Sequence, residues 1–131
     1  MKDQLPALII IIPLSMALLA PLVSFLSVRL LHLSVAGAIL AAHLCSLAAL
    51  RRTLTDGPQH YWFGGWEPPW GIEYVTDPLS AVIAVLITFI GFFVSVYSAP
   101  FIVYGVSWLR NGIIYSLYLL VITGLNGIVL T

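Results

Sequence analysis

Four long apolar stretches restrict the folds open to this sequence. They cover residues 5–27, 30–50, 78–98 and 112–131, and none contains Asp, Glu, Lys or Arg. Each is close to the roughly 20 apolar residues that a helix needs to cross a bilayer. Such stretches are helical in lipid, because hydrocarbon offers the backbone N–H and C=O groups no hydrogen-bond partner. We therefore predict an all-α integral membrane protein with about four transmembrane helices, forming one membrane domain over residues 1–131.

The composition indicates that lipid is the main solvent of this chain. Of its 131 residues, 61% are hydrophobic and only 8% are charged, and the mean hydropathy is +1.08. Soluble domains have about 25% charged residues, and a small one needs them to cover its large relative surface. The formal net charge is zero, so no basic surface for nucleic acid is predicted. The first apolar stretch is longer than the roughly 7–15-residue core of a secretory signal, and we interpret it as a retained helix.

The polar loop at residues 51–77 interrupts the apolar pattern and holds four of the five acidic residues. Residues 61–63 and 72–75 are rich in types that favour extended structure. Between them, Gly64-Gly65 and Pro68-Pro69 favour turns. We predict a short external hairpin, rich in Trp and Gly, between the second and third helices.

Helix boundaries carry their own signals. Asp77 is a good N-cap for the third helix, and Pro78 at its first position loses no hydrogen bond that it would have made. After residue 98 the chain stays apolar as far as Leu109. Pro100 and Gly105 disfavour a continuous helix, so we predict an interfacial connection there.

Two rows of small residues at four-residue spacing mark the second helix. Small side chains let helix backbones approach closely in lipid, so this helix is predicted to pack against protein neighbours. The rows are Ser34, Ala38, Ala42 and Ser46, and Gly37, Ala41, Cys45 and Ala49.

His32 and His43 are the only His, Asp, Glu, Lys or Arg residues within the second stretch. Eleven residues of helix place them on one face, separated by roughly 16 Å. Three interpretations remain open: hydrogen bonding between helices, a proton relay, and ligation of a haem or pigment. We favour hydrogen bonding, because bis-histidine haem sites would need further histidines and only His60 remains, in the loop. No catalytic, cofactor-binding or metal-binding residue is predicted, and no cofactor.

Other polar and aromatic groups have plainer interpretations. The aromatic residues of the loop form either a docking surface for a neighbouring subunit or the aromatic belt common at membrane boundaries. Glu67, Glu73 and Asp77 lack the fixed spacing of a calcium loop and are interpreted as solvated charges and one helix cap. Asn126 is polar at membrane depth, so it should face protein.

Several short motifs in the second half of the chain occur in a characteristic order. They are Gly64-Gly65-Trp66, Gly71-Ile72, Asp77-Pro78-Leu79-Ser80, Tyr97-Ser98, Gly124-Leu125-Asn126-Gly127 and Leu130-Thr131. With them, residues 63–131 resemble the N-terminal part of the antiporter-like subunits of Mrp-type cation/proton antiporters, membrane-bound hydrogenases and respiratory complex I. The D-type Mrp subunit is the most similar in character.

The resemblance implies a structural role within a larger machine. Members of that family carry their ion-path glutamate and lysines in the fifth and later helices, so none of those residues has a counterpart here. We expect the N-terminal structural part of an antiporter-like subunit, either a naturally split subunit or a fragment. Its complex would move ions in the cytoplasmic membrane, coupling protons to sodium transport or to redox chemistry. Expected partners are the lipid bilayer and other membrane subunits, including a chain with the later helices.

Two other functions remain open from the residues alone. One is a haem- or pigment-carrying membrane anchor that uses His32 and His43, and the other is a small accessory or assembly subunit. Orientation is a further expectation: the resemblance places both termini and the loop outside the cell. The positive-inside rule mildly opposes this, since it leaves Arg29 and Arg110 inside against Lys2, Arg51 and Arg52 outside.

Overall fold

The described residues form four long helices and one hairpin. A computed structural model describes the backbone of residues 4–105 and 107–131, and the side chains of these except 101–105. Each helix is long and apolar enough to cross a membrane, which confirms the predicted all-α membrane fold. The elements are α1 (Leu5–Leu26), α2 (Val28–Asp56), β1 (Gln59–Trp62), β2 (Glu73–Thr76), α3 (Pro78–Gly105) and α4 (Trp108–Leu130).

The helices extend beyond the apolar stretches that predicted them. α2 continues through the two arginines to Asp56, six residues past the predicted end, and stops before Gly57, whose φ is 86°. The extra turns contain Arg51, Arg52 and Asp56, and their polar sequence still continues the helix. α3 contains Pro100 and runs on to Gly105, where an interfacial connection was predicted. Membrane helices tolerate an internal proline when neighbouring groups compensate for the lost bond.

The predicted cap of α3 is present. The backbone N–H of Ser80 donates to a carboxylate oxygen of Asp77 at 2.7 Å, and the Asp77 N–H donates to Ser80 Oγ at 2.9 Å. Hydrogen bonds from the Ser80 side chain and backbone lower the pKa of the Asp77 carboxyl. The carboxylate therefore remains charged, and the cap intact, down to acidic pH.

The helices pack in the order α4, α1, α2, α3, with extensive contacts between each successive pair. α3 and α4 meet less extensively, and α2 reaches α4 across the centre. Because the helices alternate in direction, the start of α1 and the end of α4 lie at the same end as the hairpin. Accordingly, β2 contacts α1, α3 and α4. One core cluster, at the hairpin end, is Ile9, Ala49, Ala84 and Leu130. The other is Met16, Ala17, Ala20, Leu31, Val35, Ile39, Tyr115 and Leu119.

The small-residue rows of α2 only partly follow its buried face. Ala42, Ser46 and Ala49 are buried, but Gly37 is exposed and a Cβ there would meet no atom within 4 Å. Strict four-residue steps turn by about 40° each, so each row drifts off the interface. The face that is buried combines steps of four with steps of three, and large residues fill its first half. It consists of Leu31, Val35, Ile39, Ala42, Ser46, Ala49 and Thr53.

Candidate functional site

His32 connects α2 to α4. Its Nδ1 lies 2.8 Å from the Tyr115 hydroxyl oxygen, and the two rings are tilted against each other. Tyr115 is 2% exposed, so its hydroxyl depends on protein partners. The pair supplies a polar contact one to two helical turns from the end opposite the hairpin.

His43 connects α2 to α3 through a compact polar network. Its Nδ1 lies 3.0 Å from Thr88 Oγ1, and Ser46 Oγ lies 3.1 Å from the same atom. Ser46 also donates to the His43 carbonyl at 2.7 Å. Ser46 and Thr88 are fully buried. These buried hydroxyls therefore find their hydrogen-bond partners within the network, in each other, in the His43 ring and in a helix carbonyl.

The two histidines therefore serve different interfaces. A common face was predicted from their eleven-residue spacing, but His32 contacts α4 and His43 contacts α3. Angular position on an isolated helix does not say which neighbour lies there. Each ring bonds a neutral hydroxyl of another helix, which supports the interpretation as interhelical hydrogen bonds. Among the described residues, no three His, Cys, Asp or Glu side chains lie close enough to hold a metal ion.

Asn126 faces protein, as predicted. It is fully buried, and its Nδ2 donates to the Ile122 carbonyl at 3.0 Å. Its Oδ1 accepts no hydrogen bond from the described residues. The amide is thus held against its own helix, and it does not join the histidine contacts.

The contact between α1 and α4 around Pro21 was not predicted from the sequence. A proline has no N–H, so Pro21 cannot bond the Ala17 carbonyl four residues earlier. Ser116 of α4 donates to that carbonyl at 2.7 Å. One turn away, a Cβ on Gly112 would lie 2.6 Å from Ser24 Oγ and 3.0 Å from Pro21 Cα. A proline inside a helix frees the carbonyl four residues earlier, but no pattern in the sequence indicated that Ser116 would be the donor.

The tryptophan side chains of the hairpin are exposed. Trp66 is 67% and Trp70 86% exposed, whereas Tyr61, Phe63 and Tyr74 stack edge to face. Gly64 and Gly65, at the predicted turn, have φ values of 72° and 79°, where a side chain would be strained.

Glu73 has more partners than the predicted solvated charge. One carboxylate oxygen lies 2.6 Å from His60 Nδ1 and accepts from Trp62 Nε1 at 3.3 Å. These contacts join the two strands on the outer face of the hairpin.

No protein-family model matches the chain. The chain is 42% identical over 132 aligned positions to the NADH-quinone oxidoreductase subunit N of Desulforudis audaxviator (strain MP104C). The similarity covers all of this chain and 26% of that relative, so the chain spans about a quarter of its length. It supports the resemblance to antiporter-like subunits but not the more specific D-type Mrp subunit. The chain is thus a multi-pass membrane protein that is similar over its whole length to a subunit of NADH-quinone oxidoreductase.

Proposed function

We propose that this chain is a structural part of an antiporter-like subunit in a complex I-like, ion-translocating complex of the cytoplasmic membrane. The observation that carries the proposal is the 42% identity over the whole chain to a subunit of NADH-quinone oxidoreductase. In this role the four helices brace neighbouring helices, and other chains or segments of the complex carry the ions.

The distribution of charge supports a bracing role. The four apolar stretches contain no Asp, Glu, Lys or Arg, and ion paths in membranes are usually marked by such residues or by His. Both histidines of α2 are bonded to hydroxyls of neighbouring helices. Neutral hydrogen bonding of this kind stabilises a bundle without requiring a charge in lipid.

A structural role within a larger complex implies other membrane subunits as partners. Other membrane subunits and the later helices of an antiporter-like subunit are expected to cover parts of the bundle. The outward aromatic residues of the hairpin suit either such a subunit or the membrane boundary. We retain the orientation with the hairpin and termini outside the cell as part of the proposal.

A sodium-translocating Mrp-type antiporter is the second candidate, supported by the motifs at residues 63–98 and 124–131. The two candidates differ in what drives transport. Proton movement that requires NADH and a quinone would favour the complex I-like role, whereas sodium-driven proton movement without either would favour the Mrp-type role.

The bracing role is tested by replacing each histidine with glutamine. His32→Gln and His43→Gln keep a hydrogen-bonding side chain but remove the titratable ring. We expect each variant to assemble and to retain most proton flux, measured in vesicles with equal amounts of assembled complex. A fully assembled variant that lost most of its flux would place that histidine on the ion path and overturn the bracing role.

The haem or pigment anchor is tested with the same two variants. An optical spectrum of the purified wild-type complex is recorded first and then compared with those of the variants. An absorption band assigned to haem or pigment and lost specifically in either variant would favour the anchor. Equal spectra across the three proteins would favour the bracing role.

A further inference from the structure

One ring nitrogen of His43 has no hydrogen-bond partner among the described residues. Nδ1 lies 3.0 Å from Thr88 Oγ1, but no described residue forms a hydrogen bond with Nε2. His43 is half-buried, and Nε2 is not one of the buried atoms that lack a partner, so it retains accessible surface. Leu40 and Leu47, one turn away on either side, are both exposed. The Nε2 side of the ring therefore lies at the surface of the bundle.

The depth of His43 in the membrane makes this free nitrogen unfavourable. The apolar stretch runs from residue 30 to residue 50, so His43 lies about 20 Å from one end and about 10 Å from the other. Hydrocarbon offers Nε2 no hydrogen-bond partner at that depth. His32 lies only about 3 Å from the start of the stretch, where water and lipid headgroups reach its ring. Of the two histidines, His43 is the one that requires a protein partner.

The hydroxyl hydrogens around the ring indicate what kind of partner Nε2 requires. Ser46 donates its single hydroxyl hydrogen to the His43 carbonyl at 2.7 Å. Thr88 also has one hydroxyl hydrogen, and its nearest acceptor is the Ala84 carbonyl at 2.9 Å. Thr88 Oγ1 then accepts a hydrogen bond from the Nδ1–H group of His43. Because a neutral imidazole has one donor and one acceptor nitrogen, Nε2 is the acceptor and its partner must be a donor.

The surface around Nε2 is apolar and aromatic. The exposed ring of Phe89 in α3 packs against the His43 ring, with 5.9 Å between the centroids. Phe93, also exposed, packs against Phe89 with 4.8 Å between the centroids. We call Leu40, His43, Leu47, Phe89 and Phe93 the His43 face. A helix that packed on this face would bury mostly hydrocarbon and would meet a single hydrogen-bond acceptor.

We propose that the His43 face binds a further membrane helix, which donates a hydrogen bond to Nε2 of His43 from a hydroxyl or carboxamide side chain. Such side chains form hydrogen bonds between membrane helices, and they place no charge in the hydrocarbon. The leucine and phenylalanine side chains supply the surrounding packing contacts. This inference rests on the proposed function, because a complex of membrane subunits supplies such helices. It adds which face of the bundle and which atom the helix contacts.

Two substitutions separate the roles of the two ring nitrogens. The amide NH₂ of His43→Asn takes the place of Nδ1–H and can donate to Thr88, but nothing replaces Nε2. The longer side chain of His43→Gln places a carboxamide oxygen, an acceptor, near the position of Nε2, so this variant is the matched control. The assay uses the complex in its native membranes, with a benzophenone-bearing amino acid in place of Leu47. After illumination, mass spectrometry identifies the crosslinked lipid or peptide.

We expect position 47 to crosslink to a membrane helix that carries a hydroxyl or carboxamide side chain at the depth of His43. His43→Asn should lower the yield by up to about threefold, which corresponds to an average hydrogen bond between membrane helices. His43→Gln should retain the yield. The same photoreactive group in place of Leu18, which is 71% exposed on α1, reports on the rest of the complex, and its products should be equal in all three backgrounds.

Two results would overturn the inference: crosslinks from position 47 to lipid alone, and equal yields for His43→Asn and His43→Gln. If His43→Asn failed to fold, the wild-type crosslink would decide. A helix with a hydroxyl or carboxamide at that depth would support the inference, and a helix without one would overturn it.

The proposed function is measured separately, as proton movement that requires NADH and a quinone. A donor-bearing helix crosslinked in a complex without that activity would overturn the proposed function and leave the contact standing. Lipid crosslinks alone, in a complex with that activity, would do the reverse.

Discussion

The two faces of α4 are packed differently, although one helix supplies both. Towards α1, Gly112 lets the helices approach until a Cβ would lie 3.0 Å from Pro21 Cα, and Ser116 bonds a carbonyl that Pro21 leaves unpaired. Towards α3, two cavities of about 100 and 190 Å³ remain. Val94 and Tyr118 line both of them, so the two spaces are adjacent.

The difference between the two faces shows which contacts allow two helices of this bundle to pack closely. On the α1 side, backbone meets backbone, and a polar side chain replaces a hydrogen bond that proline removes. On the α3 side, a Cβ added to Gly91 would meet only side-chain atoms, and the nearest is the flexible end of Ile122. The Tyr118 hydroxyl donates to the Gly91 carbonyl, but that carbonyl already lies within a helix. The α1 face should therefore tolerate far less change than the α3 face.

The largest effect is expected for Gly112→Ala. The new Cβ would collide with the α1 backbone at Pro21 and with Ser24, neither of which can move independently. We expect the free energy of unfolding in detergent to fall by about 1–3 kcal/mol, as for other overpacked interiors. Gly124→Ala on the same helix is the control, since its Cβ would meet nothing within 4 Å. Equal losses for the two variants would contradict the close approach of α1 and α4.

Ser116→Ala should lower the free energy of unfolding by less, about 1–2 kcal/mol, because it leaves the Ala17 carbonyl without its hydrogen-bond donor. A double-mutant cycle measures how far the effect of Ser116→Ala depends on Pro21. In a Pro21→Ala background, residue 21 regains an N–H for that carbonyl, so the cost of Ser116→Ala should shrink to near zero. A cost that is the same in both backgrounds would show that Ser116 does not compensate for the proline.

Tyr118→Phe tests the α3 face. We expect it to lower the free energy of unfolding by only about 0.6 kcal/mol, the average for hydrogen bonds measured between membrane helices. The Gly91 carbonyl that loses the Tyr118 donor still has the N–H of Ser95, four residues further along α3. The measurement is the same unfolding experiment, carried out beside Ser116→Ala. A loss above that of Ser116→Ala would reverse the ranking of the two faces.

The smallest effect is expected for Gly91→Ala. Its Cβ would lie 2.9 Å from Ile122 Cδ1, a methyl group that can move into the adjacent cavity. The strain is offset by the higher helix propensity of alanine, worth up to about 1 kcal/mol. We expect a net change within about 0.5 kcal/mol of zero, as for neutral sites, and Ile122→Val should remove any remaining strain. A loss as large as that of Gly112→Ala would mean that both faces are equally tight.

Much of the fold follows from local properties of the sequence. Apolar length identified all four helices, and turn residues identified the hairpin, because both depend on single segments and their solvent. Asp77 and Pro78 marked the start of α3 for the same reason. The polar ends of α2 and the continuation of α3 past Pro100 were not identified. Apolar length detects lipid contact, and it does not detect where backbone hydrogen bonding stops.

The partners of individual side chains depended on tertiary structure. The sequence by itself determined that His32, His43 and Asn126 lie in apolar helices and must find partners within protein, since lipid provides none. Only the packing of the helices decided that His32 contacts Tyr115 and His43 contacts Thr88. It also placed the exposed ring of Phe89 beside His43. Such contacts join residues that are distant in the chain, and they depend on how the helices rotate and cross, which no single segment encodes.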